Sequence, residues 1–257
     1  MSQDNFEALL GFTPLKAQLL RDLGIDRSNC LDDSPVNKPR ETNSDFYNEY
    51  DVIENKDFLT YTQTAAVIYK DIYKLIPNRK IRFIEEIIAQ ELKNLDGKFK
   101  FTICGEYRRQ LKWCKDINIV ITHEDETNFT DRPLRLECVA KQLMKIGFIV
   151  EIIEGVNKKG TCSAICQLGI SSNFNLINFL YVPPFKYYMA VFMETGPKLF
   201  VDKVIKHAGN LGMKIEKNEI QKVFCRDLIR EPPLKIANEE DVFDVLCLPY
   251  KNPQDRH

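Results

Sequence analysis

Residues 104–122 read CGEYRRQLKWCKDINIVIT, in which a glycine turn and an arginine pair precede an apolar strand. The strand starts with Asp116 and carries Asn118 two places later. Because side chains alternate along a strand, these two residues lie on the same face. Asp-x-Asp at this spacing is typical of a divalent-metal site, and Asp-x-Asn has one carboxylate fewer. In isolation, Asp-x-Asn is typical of a solvent-facing polar pair, so the rest of the sequence decides its meaning.

The composition is that of a soluble globular protein, with 44% hydrophobic and 28% charged residues in a chain of 257. This length allows one large core or a few small subdomains, since domains commonly run to roughly 100–200 residues. The net charge of −1 supplies no overall positive field, so any nucleic-acid binding depends on local basic patches. No apolar run approaches the roughly 20 residues of a membrane span, and we expect no membrane partner.

The eight cysteines and three histidines show no metal-binding spacing. The cysteines are scattered without a CxxC pair, and the polar start MSQDNFEALL does not resemble a signal peptide. We therefore expect reduced thiols in the cytosol or nucleus. The histidines lie far apart and fit no zinc spacing, which favours ordinary surface or core positions.

Hydrophobic periodicity predicts a helical first hundred residues, a mixed α/β middle and a small α+β end, which together make an α+β protein. Residues 7–25 read as two short helices around a tight turn, and 30–57 as an exposed acidic connector. The further predicted helices cover 61–76, 81–95, 134–147, KLFVDKVIKHAGNLG and EEDVFDVLCL. The predicted strands are FKFTIC at 99–104, DINIVIT at 116–122, FIVEII, TCSAICQL and FNLINFLYV.

The segment CGEYRRQLKWCKDINIVITH resembles the palm signature of the X family of DNA polymerases, the group of polymerases beta and lambda and terminal transferase. TYTQTAAVIYKDIYKLIP resembles the helical segment before the palm in that family, and METGP matches its Thr-Gly turn. LPYKNPQDR resembles its closing Leu-Pro-Tyr-x-x-Pro-x-x-Arg, which other nucleotidyltransferases lack. The resemblance runs in order from about residue 8 to the end of the chain.

This resemblance implies helical fingers, a nucleotidyltransferase palm with a mixed β-sheet, and a small α+β thumb. It places a helix-hairpin-helix-like start of the fingers at 1–29, an acidic linker at 30–57, helical fingers at 58–97, the palm at 98–184 and the thumb at 185–257. The additional amino-terminal lyase domain of the family has no room here, and we expect it to be absent. The resemblance implies a nuclear location, with the cytoplasm as the alternative.

Enzymes of this family need three carboxylates, because two Mg²⁺ ions must hold the triphosphate and activate the primer hydroxyl. By resemblance those positions are Asp116, Asn118 and Asn178, so two of the three carboxylates are amides. At an effective dielectric constant near 20, a carboxylate about 4 Å from a divalent ion attracts it by roughly 8 kcal/mol, which is the order of attraction lost with each carboxylate. We expect a vestigial triad with no functional catalytic residue. Only Asp116 remains as a weak metal ligand, and no cofactor is expected unless residual activity uses Mg²⁺ or Mn²⁺.

The resemblance places vestigial nucleotide-binding positions at Gly105, Arg109, Thr195 and Gly196. The family has a small hydroxyl residue or a glycine after the first of these, whereas this chain has Glu106, whose charge repels a phosphate. Arg109 remains available to meet a phosphate. Five further positions depart from the family: Gln110 and Lys115 replace glycines, Glu194 replaces an aromatic residue, and Val201 and Ile205 stand where relatives read the nascent base pair.

GFTPLKAQ resembles the helix-hairpin-helix turn that binds DNA phosphates through backbone amides, with Gly11, Thr13 and Lys16 as the DNA-binding candidates. Thr13 replaces the second glycine of that pattern, and packing of two short helices is the competing interpretation.

Other polar and aromatic candidates have structural interpretations. Arg108 and Arg109 are a solvated basic pair, or form a salt bridge with an acid such as Asp116, as readily as they bind phosphate. We expect Trp113 to anchor a core rather than stack on a base. The lysine pair at 158–159 is expected at a hairpin tip, and the lysines at 198, 203 and 206 on a solvated helix face.

The sequence favours a pseudo-polymerase of the X type, not an active enzyme, that acts as a protein-binding or DNA-binding module in nuclear nucleic-acid metabolism. A protein and DNA are equally open as partners. The alternative is a diverged, weakly active DNA polymerase or terminal transferase in DNA repair. An RNA-directed or small-molecule nucleotidyltransferase is disfavoured by the closing LPYKNPQDR segment.

Overall fold

The computed structural model describes Tyr69, Ile72 and residues 74–125, 132–169, 173–223 and 232–256. The chain divides into two units, Met1–Lys70 and Asp71–His257, and the second holds nearly all of the described residues. The predicted helix-hairpin-helix at 1–29, the acidic linker at 30–57 and most of the helix predicted at 61–76 lie outside them.

The second unit alternates helices with short strands. In chain order its elements are β1 (Ile76–Pro77), α1 (Asn78–Leu95), β2 (Phe99–Ile103), α2 (Gly105–Arg108), β3 (Trp113–Cys114), β4 (Ile117–His123), α3 (Arg132–Lys145), β5 (Ile149–Glu154), β6 (Thr161–Gln167), β7 (Phe174–Tyr181), α4 (Tyr187–Thr195), α5 (Lys198–Asn210), β8 (Met213–Glu216), β9 (Glu219–Lys222) and α6 (Glu240–Val245). Two single 3₁₀ turns cover Pro184–Lys186 and Pro253–Asp255. The α+β class predicted from the sequence is confirmed.

A mixed five-stranded sheet forms the centre of this unit, in the order β2-β4-β7-β6-β5. β4 and β7 run parallel, while every other neighbouring pair in the sheet is antiparallel. Burial alternates along β7, whose residues Ile177, Phe179 and Tyr181 face the core. This period of two is the pattern that predicted the strand.

The main core lies between the sheet and the helices α1 and α3. Ile81, Ile84 and Ile88 form the buried stripe of α1, at the i, i+3 and i+7 spacing of one helix face. They join buried residues of α3 and of β4 in one cluster. On the other face of β4, Val120 packs against α4. β4 is therefore covered on both sides, which explains why it is apolar throughout its middle.

The helix predicted at 81–95 is confirmed and begins three residues earlier, whereas the predicted helix at 61–76 is wrong at its end. Ile76 lies in β1, which pairs with β3 through Ile76 opposite Cys114 and Pro77 opposite Trp113. A residue before proline is pushed out of the helical region, because the proline ring clashes with its backbone. Pro77 itself is extended, with ψ of 136°, and helix α1 starts directly after it.

A second, smaller core lies in the carboxyl-terminal part of the chain. Its centre is three aromatic rings, Phe192 of α4, Phe200 of α5 and Phe243 of α6. Helices α5 and α6 were both predicted from the sequence. The hairpin of β8 and β9 packs on this core through Ile220. Within the described part of the chain, no helix is both long and apolar enough to span a bilayer.

Candidate functional site

The three positions of the predicted triad lie side by side on the sheet. Asn118 of β4 and Asn178 of β7 are register partners in the parallel pair, so their side chains leave the sheet on the same face. Asp116 immediately precedes β4 and is a hydrogen-bonding partner of both amides. The structure thus brings the three predicted positions together, while the roles of these residues stay predictions.

The three side chains bond to one another in a closed network. The amide nitrogen of Asn118 donates to Oδ1 of Asp116 at 2.9 Å. The amide nitrogen of Asn178 donates to Oδ1 of Asn118 at 2.9 Å and to Oδ2 of Asp116 at 3.4 Å. Ser163 of β6 completes the network by donating to the amide oxygen of Asn178 at 2.9 Å. Both carboxylate oxygens of Asp116 thus accept from amide groups.

The carboxyl group of Asp116 has a pKa above its ordinary value. Partial burial is the main cause, and the charge of Glu106 acts in the same direction. The hydrogen bond from Asn118 opposes both effects by stabilising the carboxylate. The charge of Lys115 also lowers this pKa, and the opposing effects together leave it above its ordinary value.

These side chains do not fit a two-metal site. Such a site places charged oxygens around the ions, whereas here amide nitrogens of Asn118 and Asn178 point at the single carboxylate. Turning both amides over would present oxygens but would leave the three positions with one negative charge. Among the described residues, no group of three or more His, Cys, Asp or Glu side chains is placed to hold a metal ion.

The carboxylate of Glu106 is bonded to the backbone beside the triad. Its carboxylate accepts a hydrogen bond from the backbone N–H of Lys115 at 2.7 Å. Glu106 lies in α2, directly after Gly105, whose φ of 63° is the left-handed conformation that favours glycine. A Cβ at Gly105 would also lie 3.4 Å from the amide nitrogen of Asn118. The glycine turn is kept, and an internal carboxylate now lies beside it.

The structure brings three predicted nucleotide-binding residues, Arg109, Thr195 and Gly196, into contact. The guanidinium of Arg109 donates to the backbone carbonyl of Thr195. The same guanidinium approaches Gly196 so closely that a Cβ there would lie 3.2 Å from it, and Gly196 has a φ of 64°. Arg109 is therefore tied to the protein backbone at the Thr-Gly turn.

Arg108 forms the salt bridge that the sequence predicted, but its partner is Glu239 rather than Asp116. Two nitrogens of Arg108 meet the two carboxylate oxygens of Glu239 at 2.9 and 2.5 Å, and one of them also donates to the Thr195 hydroxyl at 2.9 Å. Arg256 donates to Glu239 at 2.8 Å. The sequence analysis missed Glu239 because it lies 131 residues from Arg108. The only sequence signal for this ion pair was Arg256 in LPYKNPQDR, which also needs an acidic partner.

Burial acts to raise the pKa of Glu239. The hydrogen bonds and charges of Arg108 and Arg256 outweigh burial and hold the pKa below its ordinary value. The opposite holds for Glu194, whose carboxyl pKa is raised by desolvation and then by the charge of Asp116. Glu194, which replaces the aromatic residue of the family, is therefore close enough to Asp116 for their negative charges to repel each other.

The remaining candidates are distributed as follows. Val201 is buried and Ile205 is exposed on α5, and neither aliphatic side chain can offer a hydrogen bond to a base edge. Lys158 and Lys159 lie at the tip of the β5–β6 hairpin, as predicted. The lysines at 198, 203 and 206 are exposed on α5, as predicted. Gly11, Thr13 and Lys16 lie outside the described residues.

Trp113 contradicts its prediction as a core anchor, because its side chain is 46% exposed. It is opposite Pro77 in the β1–β3 pair, while the neighbouring pair of Ile76 and Cys114 is buried. Adjacent residues of a strand point to opposite faces, so burial of Cys114 directs Trp113 outward.

Comparisons with known proteins agree with this architecture. The family model "DNA polymerase beta palm" matches residues 75–184, and "DNA polymerase beta thumb" matches residues 190–257. The chain is similar to a DNA polymerase lambda of Rattus norvegicus, with 23% identity over 199 residues, which are 73% of this chain and 34% of the relative. It is also similar to a DNA polymerase lambda of Arabidopsis thaliana, with 24% identity over 224 residues, or 80% of this chain and 41% of the relative.

The chain therefore spans between a third and about two fifths of the length of these curated relatives. The two family matches follow one another in the same order as the sheet and the second core, and together they cover most of the chain. The protein belongs to the X family of DNA polymerases.

Proposed function

We propose that this protein is a pseudo-polymerase, in which residues 98–184 serve as palm and 185–257 as thumb, and which acts through binding rather than nucleotidyl transfer. The observation that carries the proposal is the closed network of Asp116, Asn118 and Asn178. Two-metal catalysis needs oxygen ligands whose charge balances the ions and that are free to coordinate them. Here one carboxylate is available, and amide groups already bond to both of its oxygens.

The surroundings of the network support the same proposal. A triphosphate approaching Gly105 would meet the carboxylate of Glu106, which accepts from the N–H of Lys115. It would also meet Arg109 already engaged with the carbonyl of Thr195. Phosphate binding would therefore require breaking two internal contacts and desolvating an acid, which opposes binding at each step.

Primer extension and untemplated tailing test this proposal directly. The full chain is assayed with Mg²⁺ and with Mn²⁺ beside the Asp116→Ala variant, which controls for a contaminating polymerase. We expect equal background signals from the two proteins. Extension by the wild-type chain that disappears in Asp116→Ala would overturn the proposal. It would support the alternative, a diverged polymerase or terminal transferase that uses Asp116 and amide ligands.

Calorimetric titration gives an independent readout. We expect no heat of binding when a deoxynucleoside triphosphate and Mn²⁺ are added together to the full chain. Saturable binding that needs both components would support a functional nucleotide site. The titration tests for such a site because Arg109, Thr195 and Gly196, three of the predicted nucleotide-binding residues, still lie together.

The bound partner is either DNA or a protein. The relatives are named DNA polymerases, so similarity to them favours DNA as the partner. A DNA-binding role would in turn favour a nuclear location. A gel-shift assay across a salt series distinguishes the two. A complex held by phosphate contacts weakens steeply with salt, because binding releases counterions from the DNA, whereas an apolar protein interface does not.

A further inference from the structure

The short pair of strands β1 and β3 presents an exposed apolar face on the side away from the core. Pro77 and Trp113 are opposite one another in this pair, so their side chains lie on one face. Leu75 is two residues before Pro77, which places it on that same side of the extended segment. The side chains of Leu75 and Trp113 are 53% and 46% exposed. We call Leu75, Pro77 and Trp113 the ribbon face.

A groove of about 410 Å³ lies along the ribbon face. Pro77 and Trp113 form its apolar part, and Asn78, Arg79 and Lys112 line it as well. Among the described lining residues, both charged ones are basic. Neither Arg79 nor Lys112 forms an ion pair with a carboxylate of the residues that the structure describes. The groove therefore combines an apolar centre with a positive rim.

The backbone around the groove is held in place by the rest of the fold. The side chain of Asn78 donates to the carbonyl of Leu111 at 3.1 Å. The backbone N–H of Asn78 donates to the carbonyl of Lys112 at 3.1 Å. These bonds join the start of α1 to the segment that carries Trp113. Because the two walls are fixed before a ligand arrives, binding would not require ordering them.

The chemistry of the groove fits a peptide better than a nucleic acid. Nucleic-acid stacking sites offer free aromatic faces to successive bases. Here Trp113 is the one aromatic ring among the lining residues that the structure describes, and the ammonium group of Lys112 lies 5.8 Å from its centroid. The aliphatic ring of Pro77 lies beside Trp113 on the same face. Tryptophan and arginine beside an apolar pocket are the residue types that dominate binding energy at protein interfaces.

We propose that the ribbon face docks an acidic peptide segment of a partner protein. One bulky apolar side chain of that segment packs in the groove over Pro77 and Trp113, and its carboxylates meet Arg79 and Lys112. This docking surface is separate from the triad, and it stands whether or not the palm transfers nucleotides.

Selection from a displayed library of random peptides tests the proposal without knowledge of the natural partner. The full chain is the bait, and we expect enriched peptides to carry Asp or Glu on both sides of a leucine or an aromatic residue. An enriched peptide is then labelled and titrated by fluorescence anisotropy. We expect Trp113→Ala, and separately the pair Arg79→Glu and Lys112→Glu, to weaken its binding about tenfold or more.

Matched controls separate this site from general surface effects. Phe83→Ala removes another exposed aromatic side chain, which is 57% exposed, and should leave binding unchanged. Lys93→Glu with Lys145→Glu reverses two exposed charges elsewhere and should also leave it unchanged. Circular dichroism confirms that each variant is folded.

Several outcomes would overturn the proposal. These are the absence of enriched peptides, enrichment of neutral or basic peptides, and binding that Trp113→Ala leaves intact. A labelled oligothymidylate that binds the wild-type chain and loses affinity in Trp113→Ala would reassign the groove to single-stranded nucleic acid. Primer extension by the same proteins reports on the triad separately, so failure of one proposal does not imply failure of the other.

Discussion

Arg108 and Glu239 form a two-point ion pair that joins the helix beside the sheet to the second core. Glu239 is 7% exposed, and it also accepts a hydrogen bond from Arg256, whose side chain is fully buried. The guanidinium of Arg256 lies over the rings of Phe192 and Phe243. One carboxylate thus compensates two arginines in a largely apolar setting, which makes it the critical member of the cluster.

Replacement of Glu239 by glutamine is expected to lower the free energy of unfolding by about 3–5 kcal/mol, because a buried arginine charge is left uncompensated. Chemical denaturation followed by circular dichroism measures this loss. Glu240→Gln, at the exposed neighbouring residue, is the control and should change the free energy of unfolding by no more than about 0.5 kcal/mol. Equal effects of the two substitutions would show that the ion pair is not stabilising.

The same carboxylate gives the fold a defined acid sensitivity. Because the folded-state pKa of Glu239 is below its ordinary value of 4.5, its stabilising contribution is fully present above that value. It is lost as the pH falls through the depressed pKa, where the folded state must take up a proton. Denaturation at a series of acidic pH values should show this decline in the wild-type chain and a shallower one in Glu239→Gln. Parallel profiles would contradict the prediction.

Restoring the two carboxylates should destabilise the metal-free protein. The pair Asn118→Asp and Asn178→Asp removes two amide donors and places like charges beside Asp116, at an expected cost of about 2–4 kcal/mol. Mn²⁺ should recover part of the loss in thermal denaturation, since a ligand that binds the folded state stabilises it.

Two controls accompany the restored variant. The wild-type chain should show no such response to Mn²⁺, and Asn173→Asp, at an exposed position, should behave like the wild-type chain. A wild-type response as large as that of the double variant would mean that the amides support metal binding, and it would count against the pseudo-polymerase.

Glu106 is expected to control the protonation of Asp116. Glu106→Gln keeps an oxygen that accepts from the N–H of Lys115 and removes a negative charge that raises the pKa of Asp116. The pKa of Asp116 should therefore fall. Titration of the carboxyl carbon by NMR measures it, and Glu124→Gln, at an exposed position, serves as the comparison. An unchanged pKa in Glu106→Gln would refute the coupling.

Gly160 allows the close approach of the β5–β6 turn to β7. Its φ is 77°, and a Cβ there would lie 2.6 Å from the backbone carbonyl oxygen of Tyr181. Gly160→Ala should therefore destabilise the fold by about 1–3 kcal/mol through strain and a displaced backbone. Gly155→Ala meets nothing within 4 Å and should be close to neutral. Thermal denaturation of the two variants checks the contrast, and similar melting temperatures would contradict it.

Hydrophobic periodicity predicted most of the helices and strands. It could not predict the elements that are defined only by pairing with a distant strand. The buried residues of α1 repeat at helical spacing from Ile81 through Ile84 and Ile88 to Leu92, so the helix was predictable. Strands β1 and β3 have two residues each and show no period, so neither their pairing nor the exposure of Trp113 was predictable.

The candidate site divides in the same way. Asp116 directly precedes β4, which carries Asn118, and the resemblance added Asn178, so the sequence named three positions that the structure places side by side. The partner of Arg108 was not, because Glu239 is joined to it only through the tertiary fold. Hydrogen bonds between amides and a carboxylate depend on side-chain geometry that no sequence pattern encodes.

The amide network constrains how the chain can evolve. A single reversion at Asn118 or Asn178 would remove a donor from the network and add a charge beside Asp116, while Glu106 still occupied the N–H of Lys115. Each step toward a three-carboxylate site thus lowers stability before it yields any selectable gain. This dependence of each substitution on the others hinders reversal, so in descendants of this chain the three positions should drift further from those of their polymerase relatives.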